Sequence, residues 1–240
     1  MTTNNNNDGH PSPPGQNISV LDRGFVRLVD YMGTDLTVVN AARVSFGKRK
    51  DSFDGKDAEL VSYLAEHEHT APFRHACLTF HVKAPIFVFR QWMKHRIASD
   101  FNEISGRYVE FPPDEFYVPQ LFRQQAAINK QGSEGQIPDE CHQKALDAYT
   151  KACQNSIGQY KALIEMGVCR EQARCVLPLA LYSEVYWTAS LQAVAHFLHL
   201  RLDAHAQWEI QQFAMAVRDL TQPLFPVSLA ALMESATRNL

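Results

Sequence analysis

Between Arg90 and Tyr108 the chain reads RQWMKHRIASDFNEISGRY, and Arg90, Lys94, His95, Arg96 and Arg107 stand there with one Glu, two Ser, one Asn and one Gly. These are donors that grip phosphates and a planar polar base, delivered within about five helical turns' worth of chain. Trp92, Met93, Ile97, Phe101 and Ile104 are interleaved with them, which a purely solvated face would not do. Such chemistry belongs to a nucleotide site. Within the stretch, Ser105-Gly106-Arg107 offers a hydroxyl, a closely approachable backbone and a guanidinium that can hold two phosphate oxygens. Taken alone, the tripeptide also reads as a solvated turn.

Further cations lie downstream. Arg174 sits between Ala173 and Cys175, and Arg201 between Leu200 and Leu202. An Arg with apolar neighbours either snorkels or aims at an anion, because Arg is seldom buried unpaired. For Arg201 a local salt bridge is a third reading, since Asp203 and Glu209 follow it. His67, His69 and His75, and likewise His196, His199 and His205, could place imidazoles together. No H-E-x-x-H or Cys/His spacing accompanies them, so no metal is expected. G-x-S-x-G, Walker A and G-x-G-x-x-G are all missing, which argues against those hydrolases and against a Rossmann-held cofactor.

The bounds are consistent with a small anionic ligand. A formal net charge of -3 is wrong for broad capture of nucleic acid, whereas a local basic cluster suits a small anion. No apolar run is long enough to cross a bilayer. Residues 1–17, rich in Asn, Pro, Ser and Gly, lack a basic or apolar leader region and read as a floppy tail before one domain over residues 18–240. Cys77, Cys141, Cys153, Cys169 and Cys175 form no C-x-x-C pair and suit inert thiols of a reducing, cytoplasmic compartment.

Several elements must position these groups. Alternation over Ile18–Tyr31 predicts a first strand, and Cys77–Val82 is the clearest strand, with Leu78, Phe80 and Val82 on one side. Ala58–His67 has helical spacing, and Thr70-Ala-Pro-Phe73 breaks it. Pro85 opens a helix carrying Ile86 to about His95, so the basic cluster starts at a helix C-terminus, where cations are favoured in any case. Ala41–Phe46 leads into a charged loop, and Val109–Leu121 reads as irregular. Pro138 opens a long helix to about Met166, closed by Gly167. Helices over Arg170–Leu177, Thr188–Leu200 and Ala206–Leu220 follow, leaving the second half mostly helical.

Taken together, the motifs resemble the flavin-dependent thymidylate synthases. The hallmark of that family, Arg-His-Arg followed by Ser-x-Asn-Glu-x-Ser-x-Arg-Tyr, is similar to Lys94-His95-Arg96 and the run from Ser99 to Tyr108. Ala41–Phe46, Thr70–His75, Lys83–Val88, Arg174–Pro178 and Leu200–Gln212 match in order, so the resemblance spans about Val20 to about Leu232. Lys94 replaces the first Arg, a point charge in place of a planar fork. Eight residues separate Arg96 from Ser105 where the family has seven, so Asp100 or Phe101 is expected to bulge. Ser190, Gln192 and His196 stand where many members carry Asn and Arg near the flavin.

The resemblance implies an α/β fold, a small mostly antiparallel sheet with packed helices in a single domain, assembling as a homotetramer with sites shared between subunits. It implies reductive methylation of dUMP to dTMP without a cysteine nucleophile, using 5,10-methylenetetrahydrofolate as carbon donor and FAD reduced by NADPH. Carried over by position, Gln91, Lys94, Glu103, Ser105, Gly106, Arg107, Arg174 and Arg201 go to dUMP, with Arg201 also catalytic through the N3-ionised uracil. Ala71, Lys94, His95, Arg96, Glu103, Ser190, Gln192 and His196 go to FAD. A nucleotide- or RNA-binding module is the other reading of the basic cluster, opposed by the acidic net charge and the lack of an aromatic stacking platform.

Overall fold

The computed structural model describes residues 14–112 and 114–238. A five-stranded sheet organises the domain. Its strands are β1 (Asn17–Val20), β2 (Gly24–Met32), β3 (Cys77–Pro85), β4 (Ser99–Glu103) and β7 (Tyr182–Ser190), in the order β1-β2-β3-β7-β4. Every pairing in it is antiparallel. A separate hairpin joins β5 (Arg123–Gln125) to β6 (Ser133–Gln136). Eight helices lie among the described residues: α1 (Asp35–Arg43), α2 (Gly55–Glu66), α3 (Ile86–Trp92), α4 (Asp139–Glu165), α5 (Arg170–Ala173), α6 (Leu191–Arg201), α7 (Trp208–Thr221) and α8 (Pro226–Arg238). None is long and apolar enough to cross a membrane.

One face of the sheet carries the core. Leu78, Phe80, Val82 and Ala84 of β3 and Val185, Trp187 and Ala189 of β7 are buried, as strand alternation requires. Helices α6, α7 and α8 contribute Phe197, Phe213 and Leu229 to the same cluster. Trp92, at the end of α3, stacks on Phe197 at 4.5 Å and meets Trp187 edge-on at 5.2 Å. This aromatic contact fixes where α3 ends relative to α6 and β7. A smaller cluster of Phe116, Cys153, Ile157, Ala180 and Leu181 seats α4.

Several expectations need correction. Ile18–Tyr31 is a hairpin rather than one strand: the chain turns at Leu21–Arg23, and Leu21 takes φ +60°. Gly24 permits the turn, since a Cβ there would lie 2.7 Å from the Lys83 carbonyl oxygen and 2.8 Å from that of Val20. Tyr182–Ser190, rich in aromatic and β-branched residues, is a central strand, so Thr188 belongs to β7 and the following helix starts only at Leu191. The helix from Ile86 stops at Trp92 rather than near His95, and the one from Arg170 stops at Ala173 before a 3-10 turn over Arg174–Val176. Helices α1 and α8 were not anticipated. Thr34 starts α1, its backbone N–H donating to Thr37 Oγ1 at 3.0 Å. Asp35 then accepts from the N–H groups of Val227 and Ser228, capping α8 across the fold.

Residues 1–13 of the expected tail lie outside the described residues. The last part of it is tied down: Gly15 N–H donates to the Leu28 carbonyl at 2.7 Å, and Asn17 opens β1. The expected bulge in β4 is absent. Ser99, Asp100, Phe101, Asn102 and Glu103 pair in unbroken register with Ala189, Thr188, Trp187, Tyr186 and Val185. The backbone irregularity lies one residue earlier, at Ala98, with φ +53°.

Candidate active site

After α3 the chain cannot run straight into the sheet. It turns through Lys94, His95, Arg96 and Ile97, and Ala98 adopts the left-handed conformation that non-glycine residues seldom accept. The reversal is anchored from both sides: Ser99 Oγ donates to the His95 carbonyl at 2.5 Å, and Ser190 N–H to the Ala98 carbonyl at 3.0 Å. A strained residue held this way often marks a functional cleft. Here it lines one of about 390 Å³, together with Lys94, His95, Arg96, Ile97, Gln192, Ala193, His196, Leu200 and Arg201.

Electrostatics of the cleft are one-sided. Lys94, Arg96 and Arg201 line it, and no Asp or Glu stands among the described residues that do. Arg201 Nε donates to His95 Nε2 at 3.0 Å and its Nη2 reaches the Gln91 carbonyl at 3.5 Å. Nε2 of His95 is therefore an acceptor, which requires a neutral ring. Burial, then the charge of Arg201 and then His196, holds His95 down to about 4. Burial also lowers His196, with His199 and Arg201 adding to it, and burial lowers Arg201 itself. The two imidazoles meet edge to face at 5.7 Å, and His95 packs on Phe197. The cleft is thus positive through its guanidinium and ammonium groups rather than through His95.

Gln192 is held from outside the cleft. Arg74, in the 3-10 turn Ala71–His75, donates through Nε to Gln192 Oε1 at 2.6 Å. The side-chain NH₂ must then be the group left to face elsewhere. Ala71 opens that turn and is exposed. Ser190 is placed differently: buried, it caps α6 by accepting from Ala193 N–H at 3.2 Å. Its hydroxyl serves the helix start, not the cleft wall.

A second cluster forms at the other end of β4. Glu103 closes the strand and accepts from Ser183 Oγ at 2.6 Å. The turn beyond it is tight, with the N–H groups of Tyr108 and Val109 on the Ser105 carbonyl and Arg107 N–H on Ser105 Oγ. Gly106 packs close under its neighbours: a Cβ there would lie 2.6 Å from the Phe111 ring and 3.3 Å from Arg174 Cδ. Ser105, Gly106, Arg107 and Arg174 are therefore brought together, and Arg107 pairs at 3.6 Å with Glu171 of α5. So the residues assigned by position to dUMP divide in two within one chain. Gln91, Lys94 and Arg201 stand at one end of β4, and Ser105, Gly106, Arg107 and Arg174 at the other, roughly 17 Å of strand apart.

Sequence reasoning did not single out Arg74, Gln207 or the apolar lining of Ile97, Ala98 and Leu200. Arg74 and Gln207 lie inside motifs that matched as wholes, but their partners, Gln192 and Gln91, are more than a hundred residues away along the chain. Of the histidines considered for a metal, His67 and His69 pack around Tyr63 and His205 bonds to Asp203; no group of three or more His, Cys, Asp or Glu that could hold a metal occurs among the described residues.

Comparison with known proteins bears on this geometry. The family model described as Thymidylate synthase complementing protein matches residues 27–227. The flavin-dependent thymidylate synthase of Thermus thermophilus is 52% identical over 217 residues, covering 90% of this chain and 78% of that one. The enzyme of the same name from Thermosipho africanus is 48% identical over 220 residues, covering 92% and 95%. Among solved structures, a UMP/dUMP methylase, PolB from Streptomyces cacaoi, bound with 5-Br dUMP, aligns with a TM-score of 0.79 at 36% identity, covering 90% of this chain and 97% of that one.

Proposed function

Since the chain belongs to the thymidylate synthase complementing protein family, the flavin-dependent thymidylate synthases, we propose that its cationic cleft brings a flavin and dUMP together for methylation to dTMP. One observation carries the reading: Lys94, Arg96 and Arg201 converge on a cleft with no carboxylate among its described lining residues, beside a His95 ring kept neutral. That donor set suits a phosphate-bearing cofactor and an electron-rich ring. Lys94, His95, Arg96, Gln192 and His196 would hold FAD, with Arg74 buttressing Gln192. When bound, the flavin supplies hydride transfer, drawing its electrons from NADPH, while methylenetetrahydrofolate supplies the carbon.

C5 of uracil is a poor nucleophile until the ring becomes electron-rich. Arg201 is the group that does this. Partly desolvated and steadied by His95 Nε2 and the Gln91 carbonyl, it offers a pre-oriented positive charge to the ionised pyrimidine. No cysteine is needed, and none of the five free thiols lines the cleft. Those unpaired thiols suit a reducing cytoplasm.

The division of the nucleotide residues between two ends of β4 supports a site completed by another copy of the chain. Drug-sized ligands occupy pockets of roughly 300–1,000 Å³, so a cleft of about 390 Å³ is small for a dinucleotide and a substrate together. In a homotetramer, the Ser105–Arg107 turn and Arg174 of one protomer would supply the phosphate grip to the Arg201 cleft of its partner.

Tritium release from C5-labelled dUMP, with NADPH and methylenetetrahydrofolate and with or without FAD, tests the reading. Flavin-dependent release accompanied by dTMP is expected. Release that proceeds without flavin, or its absence in flavin-loaded protein, would overturn it.

A further inference from the structure

Next to the cleft a chain of amides ends on a buried carboxylate. Gln91 Nε2 donates to Gln207 Oε1 at 2.6 Å, and Gln207 Nε2 donates to Glu209 Oε2 at 2.9 Å. Glu209 is 3% exposed and stands in the first turn of α7, where a helix N-terminus favours negative charge. Arg123, from the β5–β6 hairpin, grips both of its oxygens at 2.9 Å, and the Tyr117 hydroxyl adds a contact at 3.3 Å. Arg123 is in turn seated over the Trp208 ring, 5.7 Å from its centroid.

The direction of this chain is dictated by chemistry. An ionised carboxylate can only accept, so Gln207 must turn its NH₂ toward Glu209. Its carbonyl oxygen then faces Gln91, which must answer with its own NH₂. The Gln91 Oε1 is left pointing away from the relay, and the Gln91 backbone carbonyl is the one on which Arg201 leans. The charge of Glu209 thereby sets the polarity of an amide two residues removed from it, through side chains drawn from α3 and the start of α7.

We propose that Gln207 and Glu209 are positioning residues for the nucleotide, presenting the Gln91 amide to dUMP with its acceptor oxygen outward and steadying the backbone behind Arg201. The proposal rests on the reading that Gln91 and Arg201 face dUMP. Gln207 is solvent-exposed, and Glu209 keeps Arg123 and Tyr117 when Gln207 is replaced, so its replacement is expected to leave the fold intact.

The test compares dUMP affinity of flavin-loaded wild type, Gln207→Leu and Gln207→Glu at about pH 8 and about pH 5.5, each variant normalised to wild type at the same pH. Charged and titratable groups on this side are Glu209 and Arg123, with Glu134 and His205 lining the same pocket as Gln207 and Arg201 beyond Gln91. Gln207→Leu removes both hydrogen bonds and is expected to weaken dUMP roughly 5- to 10-fold at both pH values, with an unchanged melting midpoint. Gln207→Glu is isosteric but places two carboxylates together at the higher pH, so binding weakens there. On acidification the introduced carboxyl becomes a neutral acid that donates to Glu209 and accepts from Gln91, as the amide does, and affinity recovers toward wild type. A role in shape alone predicts the opposite order, with Gln207→Glu indistinguishable from wild type at the higher pH. That result, unchanged affinity in Gln207→Leu, or a Gln207→Glu deficit that does not shrink on acidification overturns the relay alone. Failure of wild type to bind dUMP overturns the functional reading along with it.

Discussion

Removing Asp100 asks whether β4 is a ruler between the two clusters. Because β4 pairs with β7 without a bulge, the deletion cannot be absorbed by relaxing a loop within the strand. It shifts one end of the strand by about 3.3 Å and turns every shifted side chain to the opposite face. If the downstream half moves, Phe101 leaves its stack on Trp187 (6.1 Å between centroids, 18° between planes) and Asn102 replaces it on the core face. Losing a half-buried aromatic costs about 1 kcal/mol, and pressing an amide toward an apolar wall costs about 1–3 kcal/mol more. The bond between Glu103 and Ser183 is broken as well, and the Ser105–Arg107 turn is pulled off Arg174. If the upstream half moves instead, the Ser99 and Ser190 bonds that hold the Ala98 reversal are lost, and the cleft opens. Either way a stability loss of roughly 2–4 kcal/mol lowers the melting midpoint by about 5–15 °C in a chain of this size. The kcat/KM for dUMP should fall by at least about 100-fold, because a displacement of more than 1 Å at a reacting centre has that effect. Scanning calorimetry, flavin content and tritium-release kinetics on the purified variant measure all three. A variant with wild-type melting and kcat/KM within about twofold of normal would refute the continuous-strand reasoning.

Arg201→Ala should lower kcat by roughly 100- to 1,000-fold while flavin absorbance persists, since Lys94, Arg96 and Gln192 remain; near-normal turnover would remove Arg201 from the chemistry. Arg107→Ala should weaken dUMP about 10- to 100-fold, with little change in melting because its contact with Glu171 is long and exposed; unchanged affinity would take it out of the phosphate grip. His95 is held at about 4, below its unfolded value near 6.5, so the unfolded chain binds more protons between those limits. The contribution of His95 is therefore fully present above about pH 6.5 and is lost as pH falls through about 4. Denaturant midpoints of wild type should decline over that window more steeply than those of His95→Gln, and parallel declines would contradict the buried neutral ring.

Part of the candidate site was legible in the sequence, and the reason is local. The run from Arg90 to Tyr108 joins a helix end, a strand and a turn, so each of its two donor groups is local in the chain, Lys94–Arg96 before β4 and Ser105–Arg107 after it. The alternation of β3 and the Pro138-to-Gly167 span of α4 were likewise legible, because strand period and helix stop signals depend on neighbouring residues. By contrast Tyr182–Ser190 was hidden: buried on one face and covered by its neighbours, its alternation merged with the helix that starts at Leu191.

Residue types and spacing by themselves determined that a local cationic cluster stands on a mildly acidic chain, and the order of its motifs determined which family it resembles. Tertiary structure alone decided how those cations are grouped. Ser190 became a helix cap, Gln192 was tied to Arg74, and His95 was made a neutral acceptor for Arg201. It also set Arg107 and Arg174 at the far end of β4 from Arg201. The physical reason is that a side chain's protonation, orientation and partners are fixed by what packs around it in three dimensions, and here those partners come from segments up to 118 positions apart in the chain.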